Sequence, residues 1–160
     1  MKDKILETLK ERSNFRKVEE VPTDKHSWSV YVHAGADSKT YGSSYVVPIY
    51  SPLNAEHIIV QASANINSEH KDMLRDADDN EILEIQKEIG YITGGREILG
   101  VPEDSGGEES PIMYADSYTF YQYFFSEEFN PTLLLDKVTC AMTAVDQTWA
   151  ILWSHTEENP

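Results

Sequence analysis

The last long segment of the sequence, residues 130–155, constrains the fold more than any other part. Asn130 is a preferred helix N-cap, and Pro131 fits the first helical turn because its missing N–H needs no partner there. Apolar residues then recur at spacings of three and four, which predicts a helix of about six turns with a wide apolar stripe. The stripe consists of Leu134, Val138, Ala141, Val145, Trp149 and Leu152, widened by Leu135, Met142, Ile151 and Trp153. Little of this helix is expected to face water, so a sheet or another helix must cover it.

The first half of the sequence predicts one helix followed by three strands. Residues 3–12 have the pattern of a short amphipathic helix, after which Phe15 and Val18 are expected to anchor the chain to the core. Pro48 places the second strand at a sheet edge or turns its missing donor outward. Residues 35–44 are predicted to form a loop. The connections between the strands are short, and they favour an antiparallel meander because parallel pairing needs a long crossover. The three strands are predicted at residues 28–32, 45–50 and 58–62.

The second half predicts helices, one or two strands and the final helix. Asn67 or Ser68 caps a helical stretch, residues 76–80 interrupt it, and a second run reaches Gly94-Gly95; one kinked helix and two helices both remain open. The later segments are a short strand at 98–101, a flexible acidic loop at 102–111 and a long strand at 112–125. The sequence therefore predicts a single α+β domain over residues 1–160, with an antiparallel sheet packed by the helices.

The net charge of −15 lies entirely in the second half of the chain. Residues 1–75 contain ten Lys/Arg and ten Asp/Glu, whereas residues 76–160 contain three and eighteen. Such a field repels nucleic-acid phosphates and anionic membrane surfaces, so neither is an expected partner. A basic polypeptide is compatible with it, although acidic surfaces also serve solubility.

The sequence contains no catalytic, cofactor-binding or metal-binding signature. Residues 76–80 carry oxygen ligands at the first, third and fifth positions of a calcium loop. However, Glu81 stands where the loop needs glycine, and Lys87 stands where it needs a bidentate glutamate. A polar turn capped by Asn80 is the better interpretation.

The histidines and the single cysteine are also interpreted as structural. The five histidines lack metal-ligand spacing and are expected at the solvent edge, although His33 and His57 lie at strand ends and can meet in space. Cys140 is expected to be a small buried hydrophobe. One cysteine cannot form an internal disulfide, and the N-terminal residues do not resemble a signal peptide, so a cytoplasmic location is expected.

The segment at residues 112–125 is the most aromatic part of the chain. Adjacent strand residues point to opposite faces, so one face can pack under the final helix while the other stays partly wet. Core and cross-strand packing explains these aromatics, and a partner-binding face is the alternative. On that alternative, Tyr121 and Tyr123 lie on the outer face and bind the partner.

Several segments together carry a resemblance to a known fold. They are Lys4–Arg12, Trp28–Val32, Ile58–Val60 leading to Asn67–His70, and Phe129–Pro131 leading to Trp149–Trp153. In these segments and in element order the chain resembles the α/β fold of type III secretion chaperones, which YbjN-like proteins share. Within that group it is most similar to an uncharacterised family of small, mostly archaeal proteins. The resemblance implies the fold and no activity, because fold alone does not fix a function.

Two hypotheses of function follow. The first, which the missing catalytic set favours, is a non-enzymatic protein-binding or chaperone-like module without a cofactor. Its partner is a basic or amphipathic polypeptide, and a homodimer is a further arrangement that it allows. The second is a small enzyme whose site is assembled from dispersed residues. These residues are His33, His57, Asp116 and Tyr118. A deep pocket with convergent polar groups favours the enzyme, and a flat aromatic groove favours the binding module.

Overall fold

A computed structural model gives the architecture and describes residues 1–35, 44–94 and 97–157. Within these residues the strands form one six-stranded antiparallel sheet in the order β1-β2-β3-β4-β6-β5, which confirms the predicted α+β class. The helices are α1 (Lys2–Lys10), α2 (Ser68–Asp76), α3 (Asp79–Thr93) and α4 (Pro131–Glu157). The strands are β1 (Phe15–Glu20), β2 (His26–Gly35), β3 (Ser44–Pro52), β4 (His57–Asn65), β5 (Leu99–Glu103) and β6 (Ser117–Phe125). Most of the loop predicted at 35–44, and Gly95 of the predicted helix end, lie outside the described residues.

The chain forms two compact units. The first comprises Met1–Ala62 and Tyr121–Met142, and the second comprises Ser63–Phe120 and Thr143–Pro160. Strands β4 and β6 and helix α4 each contribute residues to both units. The single domain predicted from the sequence therefore remains a prediction.

The first unit contains the predicted meander and one strand that the sequence did not predict. Strands β2, β3 and β4 pair in antiparallel order, as expected from their short connections. Phe15 and Val18, expected only to anchor the chain, belong to β1, which pairs with β2 and places Val18 opposite Val32. Helix α1 contacts both of these strands, and its Ile5 and Leu9 are fully buried. The meander is therefore extended by one strand and covered by α1.

Pro48 does not mark a sheet edge. It pairs with Tyr31 of β2, and β3 lies between β2 and β4 in the sheet. The edge option predicted from proline was wrong, because the sheet continues on both sides of the strand that carries it.

The second unit contains two separate middle helices. Ala77 has an extended backbone that ends α2, and Asp78 then caps α3. The carboxylate of Asp78 accepts hydrogen bonds from the backbone N–H groups of Asn80 and Glu81, at 2.8 and 3.1 Å, and Glu81 accepts from the N–H of Asp78 in return. This capping box replaces the cap predicted at Asn80.

The aromatic strand begins later than predicted, at Ser117. Residues 112–114 form a 3₁₀ turn instead, in which Tyr114 N–H donates to the carbonyl of Pro111. Strand β5, conversely, extends into the predicted acidic loop as far as Glu103, which bridges to Glu109. The flexibility predicted for residues 102–111 remains a prediction.

Helix α4 confirms the predicted cap, but its apolar stripe is narrower than expected. The side chain of Asn130 accepts a hydrogen bond from Leu133 N–H at 2.8 Å. Trp149 is half-buried, and its indole N–H donates to the carbonyl of Asn65 at 3.1 Å. Trp153, assigned to the widened stripe, is 42% exposed, so more of the helix faces water than predicted. The fully buried stripe residues are Leu134, Val138, Ala141, Val145 and Leu152. Among the described helices, none is both long and apolar enough to cross a membrane.

Candidate functional site

Strand β6 divides its side chains between a buried and an exposed face. Gln122 and Phe124 are buried, whereas Tyr123 is 61% and Phe125 46% exposed, and Tyr121 is half-buried. Neighbouring residues of a strand point to opposite faces, so the three aromatic residues with odd numbers share the outer face. The structure thus places Tyr121 and Tyr123 on the face predicted for them. Their role in binding remains a prediction.

The buried face of the same strand is fixed by helix α4. The amide nitrogen of Gln122 donates to the backbone carbonyl of Lys137 at 2.7 Å. Phe124 lies 6.5 Å, centroid to centroid, from the ring of Phe129, which precedes the helix. These contacts pack the inner side chains toward helix α4, which leaves the odd-numbered aromatic residues on the outer face.

Strand β4 completes the exposed surface with His57 and Ile59. The imidazole of His57 meets the ring of Tyr123 edge-on at a centroid distance of 6.5 Å. A depression of about 310 Å³ lies between the two strands. We call its outward-facing residues the aromatic face: His57, Ile59, Tyr121, Tyr123 and Phe125.

Strand β3 continues this surface toward the centre of the meander. Tyr50 pairs with Ile59, and its hydroxyl donates to the side-chain oxygen of Gln61 at 3.1 Å. On its other side the ring of Tyr50 stacks on His26 at 4.1 Å. The aromatic face is therefore bordered by rings that hydrogen bonding and stacking hold in place.

Acidic residues border the aromatic face where β6 ends and β4 begins. The backbone N–H and hydroxyl of Ser126 both donate to the carbonyl of Glu56, at 2.9 and 2.8 Å. The backbone N–H of Phe125 donates to the carboxylate of Glu128 at 2.8 Å. Glu56, Glu127 and Glu128 are exposed, and we call these three residues the acidic rim. These hydrogen bonds place Glu56 and Glu128 close to Phe125, and Glu127 precedes Glu128 in the chain.

The histidines proposed for a dispersed enzymatic site have separate structural partners in the first unit. His33 Nε2 lies 2.8 Å from one carboxylate oxygen of Glu19, and Lys17 Nζ lies 2.5 Å from the other. Hydrogen bonds from Lys17, and then from His33, lower the pKa of Glu19. His57 lies against Tyr123 instead. Glu19 therefore joins Lys17 and His33 in one network of polar contacts across β1 and β2.

The other two residues of that hypothesis lie in the second unit. Asp116 forms an ion pair with Lys71, and this hydrogen bond lowers the pKa of Asp116. The hydroxyl of Tyr118 donates to the carbonyl of Gly100 at 3.5 Å, and burial raises the pKa of Tyr118. Both residues therefore link neighbouring segments, and their geometry gives no direct support to an enzymatic role.

His70 is the histidine that sequence reasoning placed wrongly. Its side chain is 1% exposed rather than at the solvent edge, and in the described residues neither ring nitrogen has a hydrogen-bond partner. The ring meets Trp153 edge-on at a centroid distance of 4.5 Å. Burial lowers the pKa of His70. The spacing of one histidine on an amphipathic helix carries no signal for this environment.

Metal ligation finds no support among the described residues. They contain no group of three or more His, Cys, Asp or Glu side chains that could hold a metal ion. Residues 76–80, weighed from the sequence as a calcium loop, form the junction between α2 and α3. Cys140, expected to be buried, is partly exposed.

Comparison with known proteins bears on the fold alone. The chain is similar to the crystal structure of an uncharacterised protein from Methanothermobacter thermautotrophicus, with a TM-score of 0.73 and 16% sequence identity over 99% of each chain. No protein-family model matches the sequence, and no match was found among curated proteins. The functional argument therefore depends on the surface of this chain itself.

Proposed function

We propose that the protein is a non-enzymatic binding module, chaperone-like in that it holds a partner polypeptide on its aromatic face. The observation that carries this proposal is the outward placement of Tyr121, Tyr123 and Phe125 beside a depression of about 310 Å³. Contiguous exposed apolar surface with a polar border is typical of protein-interaction sites. Tyrosine suits such a site, because its ring packs against the partner while its hydroxyl can remain hydrated.

Charge supports a basic or amphipathic polypeptide as the partner. The net charge of −15 makes nucleic acid and anionic membrane surfaces unfavourable partners, because like charges repel. A homodimer, in which a second copy covers the aromatic face, is the competing arrangement. A cytoplasmic setting belongs to the same proposal, and it is supported by a sequence with a single cysteine, Cys140.

The relation to the secretion-chaperone and YbjN-like group is also proposed. Its support is the element order of an N-terminal helix, an antiparallel meander, middle helices, later strands and a long C-terminal helix. The archaeal origin of the structural neighbour agrees with the mostly archaeal family that the sequence resembles. This relation concerns the type of fold, and the binding function is supported separately by the aromatic face.

The proposal is tested by selecting random-sequence peptides on the protein and measuring their binding to the variant Tyr121→Ser/Tyr123→Ser. We expect affinity to fall about tenfold or more, because buried interface tyrosines are frequent hot spots. The matched control is Tyr91→Ser, which removes an exposed tyrosine from α3. Peptides that bind wild type and the double variant equally would show that the aromatic face is not the binding site.

A further inference from the structure

We infer that the aromatic face takes an amphipathic helix whose apolar side chains fill the depression and whose Lys or Arg side chains face the acidic rim. This inference rests on the proposed function and specifies the conformation and charge of the partner. It joins two features of the first unit, the exposed rings of β6 and the carboxylates of Glu56, Glu127 and Glu128.

The position of the site within the sheet favours a helix over an added strand. A peptide strand binds by pairing with an open sheet edge. Strand β4 lies between β3 and β6 and so has a neighbour on each side, and the aromatic face is a face of the sheet rather than one of its edges. A partner on this face must therefore bind through side chains. A helix satisfies its own backbone groups and presents apolar side chains along one stripe.

The charges around the face favour a basic helix. The carboxylate of Glu128 accepts a hydrogen bond from the backbone N–H of Phe125, and the backbone carbonyl of Glu56 accepts from Ser126, so both residues lie close to Phe125, which lines the depression. The ammonium group of Lys17 on β1 already faces the carboxylate of Glu19. A cationic side chain beside the helix stripe therefore meets an attractive field at the rim, whereas an acidic one is repelled.

The test compares two synthetic peptides of about 18 residues, roughly 27 Å long as helices. Both place Leu on one face, and the other face carries Lys in one peptide and Glu in the other. Fluorescence anisotropy measures their binding to wild type and to Glu56→Gln/Glu127→Gln/Glu128→Gln. We expect the Leu/Lys peptide to bind wild type more tightly than the Leu/Glu peptide, and the rim variant to bind it about three- to tenfold more weakly.

The matched control is Glu7→Gln/Glu11→Gln/Glu84→Gln, which removes three exposed carboxylates that do not belong to the rim. It changes the net charge equally, and we expect affinity for the Leu/Lys peptide to stay within about twofold of wild type. If both triple variants weaken binding equally, or the Leu/Glu peptide binds as tightly, the inference is wrong. The substitution Glu128→Gln keeps a side-chain oxygen that can accept the Phe125 N–H, so the turn is preserved.

The variant Tyr121→Ser/Tyr123→Ser separates this inference from the proposed function. If the tyrosine variant loses peptide binding while the rim variant binds fully, the aromatic face is the binding site but the inference of a basic helix is wrong. Full binding of the Leu/Lys peptide to the tyrosine variant overturns both. Sedimentation of the protein without peptide tests whether a second copy of the chain covers the aromatic face. A wild-type dimer that is absent in the tyrosine variant would show that it does and would overturn the inference.

Discussion

At the residue scale, His70 is the side chain whose environment departs most from that of an ordinary surface histidine. It is buried on α2, and in the described part of the chain both ring nitrogens lack hydrogen-bond partners. Desolvation lowers its pKa below the usual 6.5, while the nearby charge of Glu69 acts in the opposite direction. The neutral form is therefore the one that this part of the fold accommodates.

Acidification should consequently destabilise the protein through His70. Below about pH 6.5 the unfolded chain binds a proton that the native state resists, so the free energy of unfolding falls as the pH decreases toward the native pKa. Above about pH 6.5 this contribution to stability is fully present. We expect His70→Leu to lose less stability than wild type between about pH 7.5 and 5.5.

Urea unfolding at the two pH values measures this difference. His70→Phe serves as a second replacement that cannot titrate, and it keeps a ring against Trp153. If the free energy of unfolding falls less on acidification in both variants than in wild type, the difference comes from the charge of His70 rather than from its packing. The same loss of stability in wild type and both variants would exclude His70 as its source.

At the element scale, the start of α3 depends on Asp78. Its carboxylate satisfies the N–H groups of Asn80 and Glu81, which have no partner within the helix. We expect Asp78→Ala to lower the free energy of unfolding by about 0.5–2 kcal/mol, the usual range for loss of an N-cap.

Asn80→Ala is the matched control, because the sequence alone suggested Asn80 as the cap. Asn80 is two residues after Asp78 in the sequence. We expect Asn80→Ala to change the free energy of unfolding by no more than about 0.5 kcal/mol, as substitutions at ordinary exposed positions do. Thermal or urea unfolding of both variants decides between the two residues. A larger loss of stability in Asn80→Ala than in Asp78→Ala would contradict the observed capping box.

Sequence patterns predicted most of these elements, since the helices and the meander have clear periodicity. Strand β1 escaped prediction because four of the six residues in FRKVEE are charged and its two apolar residues are three positions apart. It is a strand because β2 offers a pairing edge, which places Val18 opposite Val32. The late start of β6 was missed because the residues before it have the composition of a strand. Ile112 and Tyr114 suit a strand, but they follow Pro111 and form a 3₁₀ turn.

At the scale of the whole molecule, the candidate site was predictable only in part. Alternation along one strand sufficed to place Tyr121 and Tyr123 on the outer face. The acidic rim was not predictable, because it depends on the contact between Ser126 and Glu56, which are 70 positions apart in the sequence. Local patterns specify which face a side chain occupies, whereas the neighbours across a sheet come from the topology.

The net charge of −15 leads to a prediction about the whole chain, in which salt acts on stability and binding with opposite signs. Ionic screening weakens repulsion among the acidic residues, so the free energy of unfolding should rise between about 50 and 500 mM NaCl. We expect a rise of up to about 1 kcal/mol, the scale of a few exposed charge interactions. Binding of the Leu/Lys peptide should weaken over the same range, because screening also reduces its attraction to the rim.

Calcium at matched ionic strength distinguishes screening from ion binding. Because the described residues contain no group arranged to hold a metal, calcium chloride should raise the free energy of unfolding no more than sodium chloride does. Urea unfolding in the two salts gives the comparison directly. A larger, saturable stabilisation by calcium would instead mean that the native state binds the ion, since a ligand that prefers the native state stabilises it by mass action. Removal of that excess by Asp76→Asn and Asp78→Asn would place the ion at the junction of α2 and α3 and overturn its interpretation as a purely structural turn.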